Sequence, residues 1–139
     1  MFEKIMVAVD LMHESRAARV VAMALSIGDE NTQYQLVSVV PPVSAGFVSS
    51  FLPKDYDKQM IEAARLKLHE FSETHFPKDA KVKHIIAHGT IYEEINRLAD
   101  EREVDLIVIN ATKPGSGGGL GPNAARVSRY SNKTVMVVR

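Results

Sequence analysis

Apolar residues along the chain fall into short strand-length runs separated by longer stretches with helical spacing. Ile5–Val9, Leu36–Val40, Leu106–Ile109 and Val135–Val138 are continuous apolar runs rich in β-branched residues. Runs of this kind suit strands buried on both faces. Val82–Ala87 is a further strand, with Lys83 and His84 inside it. Between the first two runs, Ala17, Ala18, Val20, Val21, Ala24 and Leu25 recur at helical spacing and predict a helix over Glu14–Ile27. Glu14 lies in its first turn, where the helix dipole favours an acid, and Gly28 is placed to stop it. Pro41 and Pro42 end the second strand, because proline has no N–H for a ladder.

The longest helix is predicted over Lys54–His75. Met60, Ala63, Ala64, Lys67, Leu68 and Phe71 trace one face, and the charged remainder reads as solvated. Phe76-Pro77 ends it. His88-Gly89-Thr90 is a tight turn, and Thr90 with Glu93 has the spacing of a capping box. The helix that follows carries Ile91, Ile95, Leu98 and Ala99 inward and ends near Arg102. A last helix is predicted over Pro122–Tyr130, because proline in a first turn loses no hydrogen bond. Residues from Val43 to Pro53 carry Phe47, Val48, Phe51 and Leu52 without periodicity, which fits a surface loop, a lid or a segment packed on a partner. Strands alternating with helices imply parallel strands joined by right-handed crossovers, hence one doubly wound α/β domain over residues 1–139.

Bulk chemistry narrows the function classes. Basic and acidic residues number 17 each, so the chain has no electrostatic footprint for nucleic acid or an anionic membrane. There is no cysteine, which excludes disulfides, thiol catalysis and thiolate-bound metal. No apolar run approaches the ~20 residues of a membrane span. The chain runs from Met1 straight into a strand without a signal-peptide layout, and a cytoplasmic location is the expectation.

The chemistry-bearing stretch is the last one. Asp105–Asn110 leads into Ala-Thr-Lys-Pro-Gly-Ser-Gly-Gly-Gly-Leu-Gly121, then into the helix at Pro122 and the final strand. Strand, glycine-rich loop and helix start together aim backbone N–H groups at an anion, usually a phosphate. Asp10 ends the first strand at a ligand-facing position for an open α/β sheet; a helix cap or loop acid is the alternative. Nothing in the sequence matches a phosphate-hydrolysing motif. There is no Gly-x-x-x-x-Gly-Lys-Ser/Thr and no paired-carboxylate cluster near the loop, so an enzyme is disfavoured. The histidines have no metal-ligand spacing, and no metal site is assigned. No aromatic residue in the loop is available to stack on a flavin.

These residues resemble the universal stress proteins over nearly the whole chain. The resemblance rests on Ile5-Met-Val-Ala-Val-Asp10, Val39-Val40-Pro41, Gly89-Thr90 before Glu93-Glu94-Ile95, Asp105-Leu-Ile-Val-Ile, Gly121-Pro-Asn-Ala-Ala-Arg-Val and Val135-Met-Val-Val-Arg139. It implies a five-stranded sheet in the order 3-2-1-4-5 with helices on both faces, and a ligand crevice at strands 1 and 4. It further implies a stress-response or regulatory protein that binds ATP or AMP there, with Mg or Mn as a possible companion. Ala8, Asp10, Val39 and Ile109 match positions that cradle adenosine; for Val39 and Ile109 a plain core role stands beside that one. Asn110, Lys113, Ser116, Gly119, Gly121, Asn123 and Ala124 fall in the phosphate-side segment.

The departures fall on that phosphate side. Binders in the family carry a Gly-x-x-Gly pair after strand 4 and later Gly-Ser or Gly-Thr. Here Asn110 and Lys113 stand near the two glycines, and Pro122 follows Gly121. Proline lacks both the hydroxyl and the N–H that serine would offer a phosphate. Glycines from 115 to 121 could form a backbone anion nest instead. Two readings stay open: a nucleotide binder, or a homodimeric interaction protein of the same fold with an empty site and an unknown protein partner. In either case the last strand is an apolar sheet edge, a hazard unless covered. The resemblance implies that Thr134–Arg139 pairs with its copy in a homodimer.

Overall fold

Alternation decides which way each strand faces. A computed structural model describes residues 1–42, 52, 54–111 and 119–139. In chain order its elements are β1 (Lys4–Ala8), α1 (Glu14–Ile27), β2 (Gln33–Val40), α2 (Tyr56–His75), β3 (Lys81–His88), α3 (Ile91–Glu101), β4 (Leu106–Asn110), α4 (Pro122–Tyr130) and β5 (Thr134–Val138). The strands form one parallel sheet in the order β3-β2-β1-β4-β5. Successive side chains of a strand point to opposite faces. Ile5, Val7, Leu36 and Val108 therefore pack with Val20 and Val21 of α1 and Leu68 and Phe71 of α2. Met6, Ala8, Val37, Ile107 and Ile109 pack on the other side with Ile95 and Leu98 of α3 and Val127 of α4. The result is the expected sandwich, with the central strands β1 and β4 buried on both faces.

Strand lengths differ from the apolar runs for a clear reason. β2 begins at Gln33 rather than Leu36, because Gln33 pairs with both Lys4 and Lys81 and the ladder continues past the apolar core. β3 gains Lys81 and His88 and forms one sheet edge. Its lysines are the charged residues by which edge strands resist pairing with strangers.

One local expectation holds for a different reason and two need correction. Gly28 ends α1 as expected, but in an extended conformation (φ −75, ψ 171), so a left-handed turn is not its purpose. A Cβ there would collide with the Tyr34 hydroxyl, and close approach is what demands glycine. The capping box at Thr90 and Glu93 does not form, since Thr90 makes no side-chain cap bond. Glu94, one residue on, lies against Gly89 and pairs with Arg97 at 3.0 Å. Gly89 itself has φ 153, a conformation reserved for glycine. Finally, the stripe along α2 is not uniformly core. Leu68 and Phe71 are buried, but Met60 is 43% exposed and Ala63 and Lys67 are exposed.

Among the described residues no helix is long and apolar enough to cross a membrane.

Candidate functional site

The C-terminal edge of the sheet is where α1 leaves β1 and α4 approaches β4, at the point where strand order reverses. Open α/β sheets bind ligands there. A cavity of about 770 Å³ occupies this edge, within the size range of small-molecule sites. Its floor is made by strand ends: Ala8 and Val9 of the first strand, Val37–Val40 of the second, and Ile109 and Asn110 of the fourth. Gly121–Ala124 at the start of α4 and Ile91 and Ile95 of α3 form one wall. His13, Arg16, Ala17 and Val20 of α1 and Met60, Ala63, Ala64 and Lys67 of α2 form the other.

The α4 wall is built by two backbone bonds. Ala111 N–H donates to the Val138 carbonyl (2.7 Å), and Gly121 N–H donates to the Ala111 carbonyl (2.6 Å). The chain that leaves β4 is thus brought back to the same spot, and α4 starts beside the β4 terminus. Gly121 is the N-cap, and Pro122 opens the helix. The Gly121 carbonyl accepts from Ala125 N–H (3.0 Å), so the helix is regular from its first turn. The N–H groups of Asn123 and Ala124 have no carbonyl partner among the described residues. With the positive end of the helix dipole behind them, they are donors for an anion.

Asp10 shapes a turn and also faces the cavity. Its Oδ1 accepts from Met12 N–H (3.0 Å), and its Oδ2 lies 3.9 Å from His13 Nε2. That geometry shapes the turn into α1. Its side chain is nonetheless 67% exposed and lines the cavity, where its outer oxygen can accept from a sugar hydroxyl.

Of the residues predicted from sequence, Ala8, Asp10, Val39, Ile109, Asn110, Gly121, Asn123 and Ala124 come together on this cavity. Ala8 and Ile109 are 7% and 6% exposed and serve as cavity floor and core at once. Gly119 is not among the lining residues, and a Cβ built on it meets nothing. Lys113 and Ser116 lie outside the described residues, as does most of the 43–53 segment. A glycine nest is not seen at the described positions: Gly121 has φ −70, and Gly89 is the positive-φ glycine among the described residues. The α2 residues are the part the sequence concealed, because their helical stripe reads like core. Lys67, a cation on an otherwise apolar stripe, was the available signal.

The other histidines pair off elsewhere. His75 lies 3.4 Å from Glu14, His88 lies 3.7 Å from Asp57, and His69 stacks on His84 at 4.2 Å between ring centroids. Burial and the neighbouring His69 push the His84 imidazole below its usual range. Among the described residues no three His, Asp or Glu side chains are placed to hold one metal ion.

Comparison with known proteins agrees with this fold. A family model described as "Universal stress protein family" matches residues 1–139. Universal stress protein G of Shigella flexneri is 27% identical over 143 residues, covering 100% of both chains. The structure of hypothetical protein MJ0577 superposes with a TM-score of 0.83 at 24% identity, over 99% of this chain and 96% of that one. A universal stress protein in complex with cAMP superposes at 0.69 with 18% identity, over 99% and 97%. A family protein of Arabidopsis thaliana with AMP bound superposes at 0.62 with 19% identity, over 97% and 90%.

Proposed function

The chain belongs to the universal stress protein family, and from that premise we propose that it is a stress-response regulatory protein whose sheet-edge cavity binds an adenine nucleotide. The carrying observation is the juxtaposition of an apolar strand-end floor with the N–H groups of Asn123 and Ala124, which have no partner among the described residues. Adenine suits the floor of Ala8, Val39 and Ile109, and ribose hydroxyls suit Asp10. The phosphate nearest the sugar suits the α4 start. Relatives solved with cAMP and with AMP support the ligand class. The phosphate grip is short by one residue's donors, because Pro122 has neither N–H nor hydroxyl. A monophosphate needs the fewest donors, which ranks AMP ahead of ATP; Mg or Mn would arrive with the longer phosphate chain.

The test is Asn123→Asp, which keeps size and suits a helix first turn. Its carboxylate would sit where the phosphate binds. Calorimetric titration should show AMP affinity falling at least about tenfold, one charge-assisted contact or more, with adenosine nearly unaffected. Equal affinity of variant and wild type for AMP would remove the phosphate from α4.

We propose also that the protein is a homodimer through Thr134–Arg139. β5 is a sheet edge with Val135, Met136 and Val137 only half-buried. Val138 turns its carbonyl inward to Ala111. By the alternation of a strand, Val135 and Val137 turn their backbone groups outward, where a second copy can pair with them.

A further inference from the structure

α2 is seated on the sheet by its second half. Leu68, Phe71 and Ser72 are its buried residues, whereas Met60, Ala63 and Lys67, in the turns that wall the cavity, are exposed. The seat begins at Leu68. The next residue, His69, stacks on His84 of the edge strand β3, with ring centroids 4.2 Å apart and planes tilted by 31°. Val82, His84 and Ile86 alternate onto the β3 face that α2 covers. Two imidazoles therefore meet where the cavity wall joins the core.

Histidine is the side chain that changes charge near neutral pH. A protonated imidazole carries N–H at both ring nitrogens. His84 Nε2 is shut off from solvent and has no hydrogen-bond partner among the described residues. Burial first, and the neighbouring His69 second, accordingly hold the His84 imidazole below its usual range. Other titratable groups along α2 act the opposite way. His88, further along β3, lies 3.7 Å from Asp57 at the start of α2, with Glu94 of α3 also near it. His75, at the end of α2, lies 3.4 Å from Glu14 of α1. Protonation strengthens both pairs. Their carboxylates are half or more exposed, so water screens them. A charge on a solvent-shut nitrogen without an acceptor is costlier than such pairs are favourable. On α2 itself, Arg65 and Glu73 stand one turn to either side of His69 with opposite signs, and on β2 the apolar Leu36 stands opposite His84. The His84 effect therefore decides the direction.

We propose that the His69–His84 contact is an acid-released catch for the cavity wall: on acidification the two rings part, α2 lifts from β3 at its seat, and the turns from Tyr56 to Lys67 open the cavity. The catch is independent of the nucleotide reading. A folded-state value below the unfolded one of about 6.5 contributes stability above that pH, and the contribution is lost as pH falls toward the folded value. The loss is local, because Leu68, Phe71 and Ser72 are the few buried residues that hold α2, and elements with few buried contacts open first.

The experiment is hydrogen exchange of the full chain, without ligand, read by mass spectrometry at about pH 7.5 and about pH 5, on either side of histidine titration. Rates are corrected for the intrinsic effect of pH. In wild type, protection of residues 56–72 is expected to fall at least about threefold more than that of β1 and β4. His84→Phe keeps a ring against His69 and takes no proton, so its α2 protection should fall no further than that of β1. His69→Phe, which leaves β3 untouched, should recover part of the loss. His88→Gln removes an opposing pair and should leave the loss in place or enlarge it. Unchanged α2 protection in wild type overturns the proposal. So does an equal loss in β1 and β4, which is global unfolding. A His84→Phe or His69→Phe variant that loses α2 protection as far as wild type overturns it as well, because the effect then belongs to another group.

Discussion

Single residues fix the turns that hold this sheet in register. Asp105 accepts from Lys4 N–H (2.8 Å) and Glu3 N–H (2.7 Å), tying the start of β4 to the start of β1. The Lys4 N–H bond, with the Glu3 N–H bond and the nearby Lys133 and Lys4 charges, holds its carboxyl below the usual range against a smaller opposing effect of burial. A depressed folded-state pKa contributes stability above the unfolded value of about 3.9, and that stability is lost as pH falls through the folded value. Asp105→Ala removes both bonds and, with their strength reduced by solvent screening of an exposed carboxylate, should cost about 0.5–1 kcal/mol at pH 7 by urea denaturation, and the gap to wild type should shrink below about pH 4. Glu103 shows the reverse case. It closes α3 with φ 54, while Val104 N–H reaches back to the Ala99 carbonyl (3.1 Å), a turn that glycine makes without strain. Glu103→Gly should stabilise by about 0.5–1 kcal/mol, visible as a rise of a few degrees in Tm. Neither role could be read from sequence. Asp105 acts on residues far away in the chain, and a glutamate gives no sign of a left-handed turn.

At the scale of elements, the sequence was most legible where burial and breakers act together. α1 ends where the apolar spacing ends, and α4 runs from Pro122 to Tyr130 as the first-turn proline predicts. The order β3-β2-β1-β4-β5 follows from the family resemblance. What periodicity could not separate was helix stripe from cavity wall. Leu68 and Met60 share one face of α2, yet one is core and the other lines the cavity. The pattern reports only that a face is not solvent-facing, not whether protein or ligand covers it. Pro122 carries the element-scale prediction. Pro122→Ser restores an N–H and a hydroxyl at the start of α4. ATP and AMP should bind about tenfold to a hundredfold more tightly, at ~1.5–3 kcal/mol for a charge-assisted bond, with adenosine unchanged. Titration of all three ligands checks this, and an equal gain for adenosine would contradict it.

For the whole molecule, two questions are linked by β5: whether the edge is covered, and whether the cavity is filled. Val137→Pro removes an outward N–H without touching the β4 side of the ladder. Light scattering should find dimer for wild type and monomer for the variant; a variant that stays dimeric would place the interface elsewhere. The cavity is the more central matter, because the strand-end floor, Asp10 and the α4 start are arranged around it. The direct measurement is thermal denaturation of the wild-type chain with adenosine, AMP and ATP, each at millimolar concentration. A ligand held at 100 times its Kd stabilises by about 2.7 kcal/mol, a shift of several degrees. The account predicts a clear rise with AMP that exceeds the rise with adenosine. No shift with any of the three would contradict nucleotide binding and leave the fold as a dimeric interaction module.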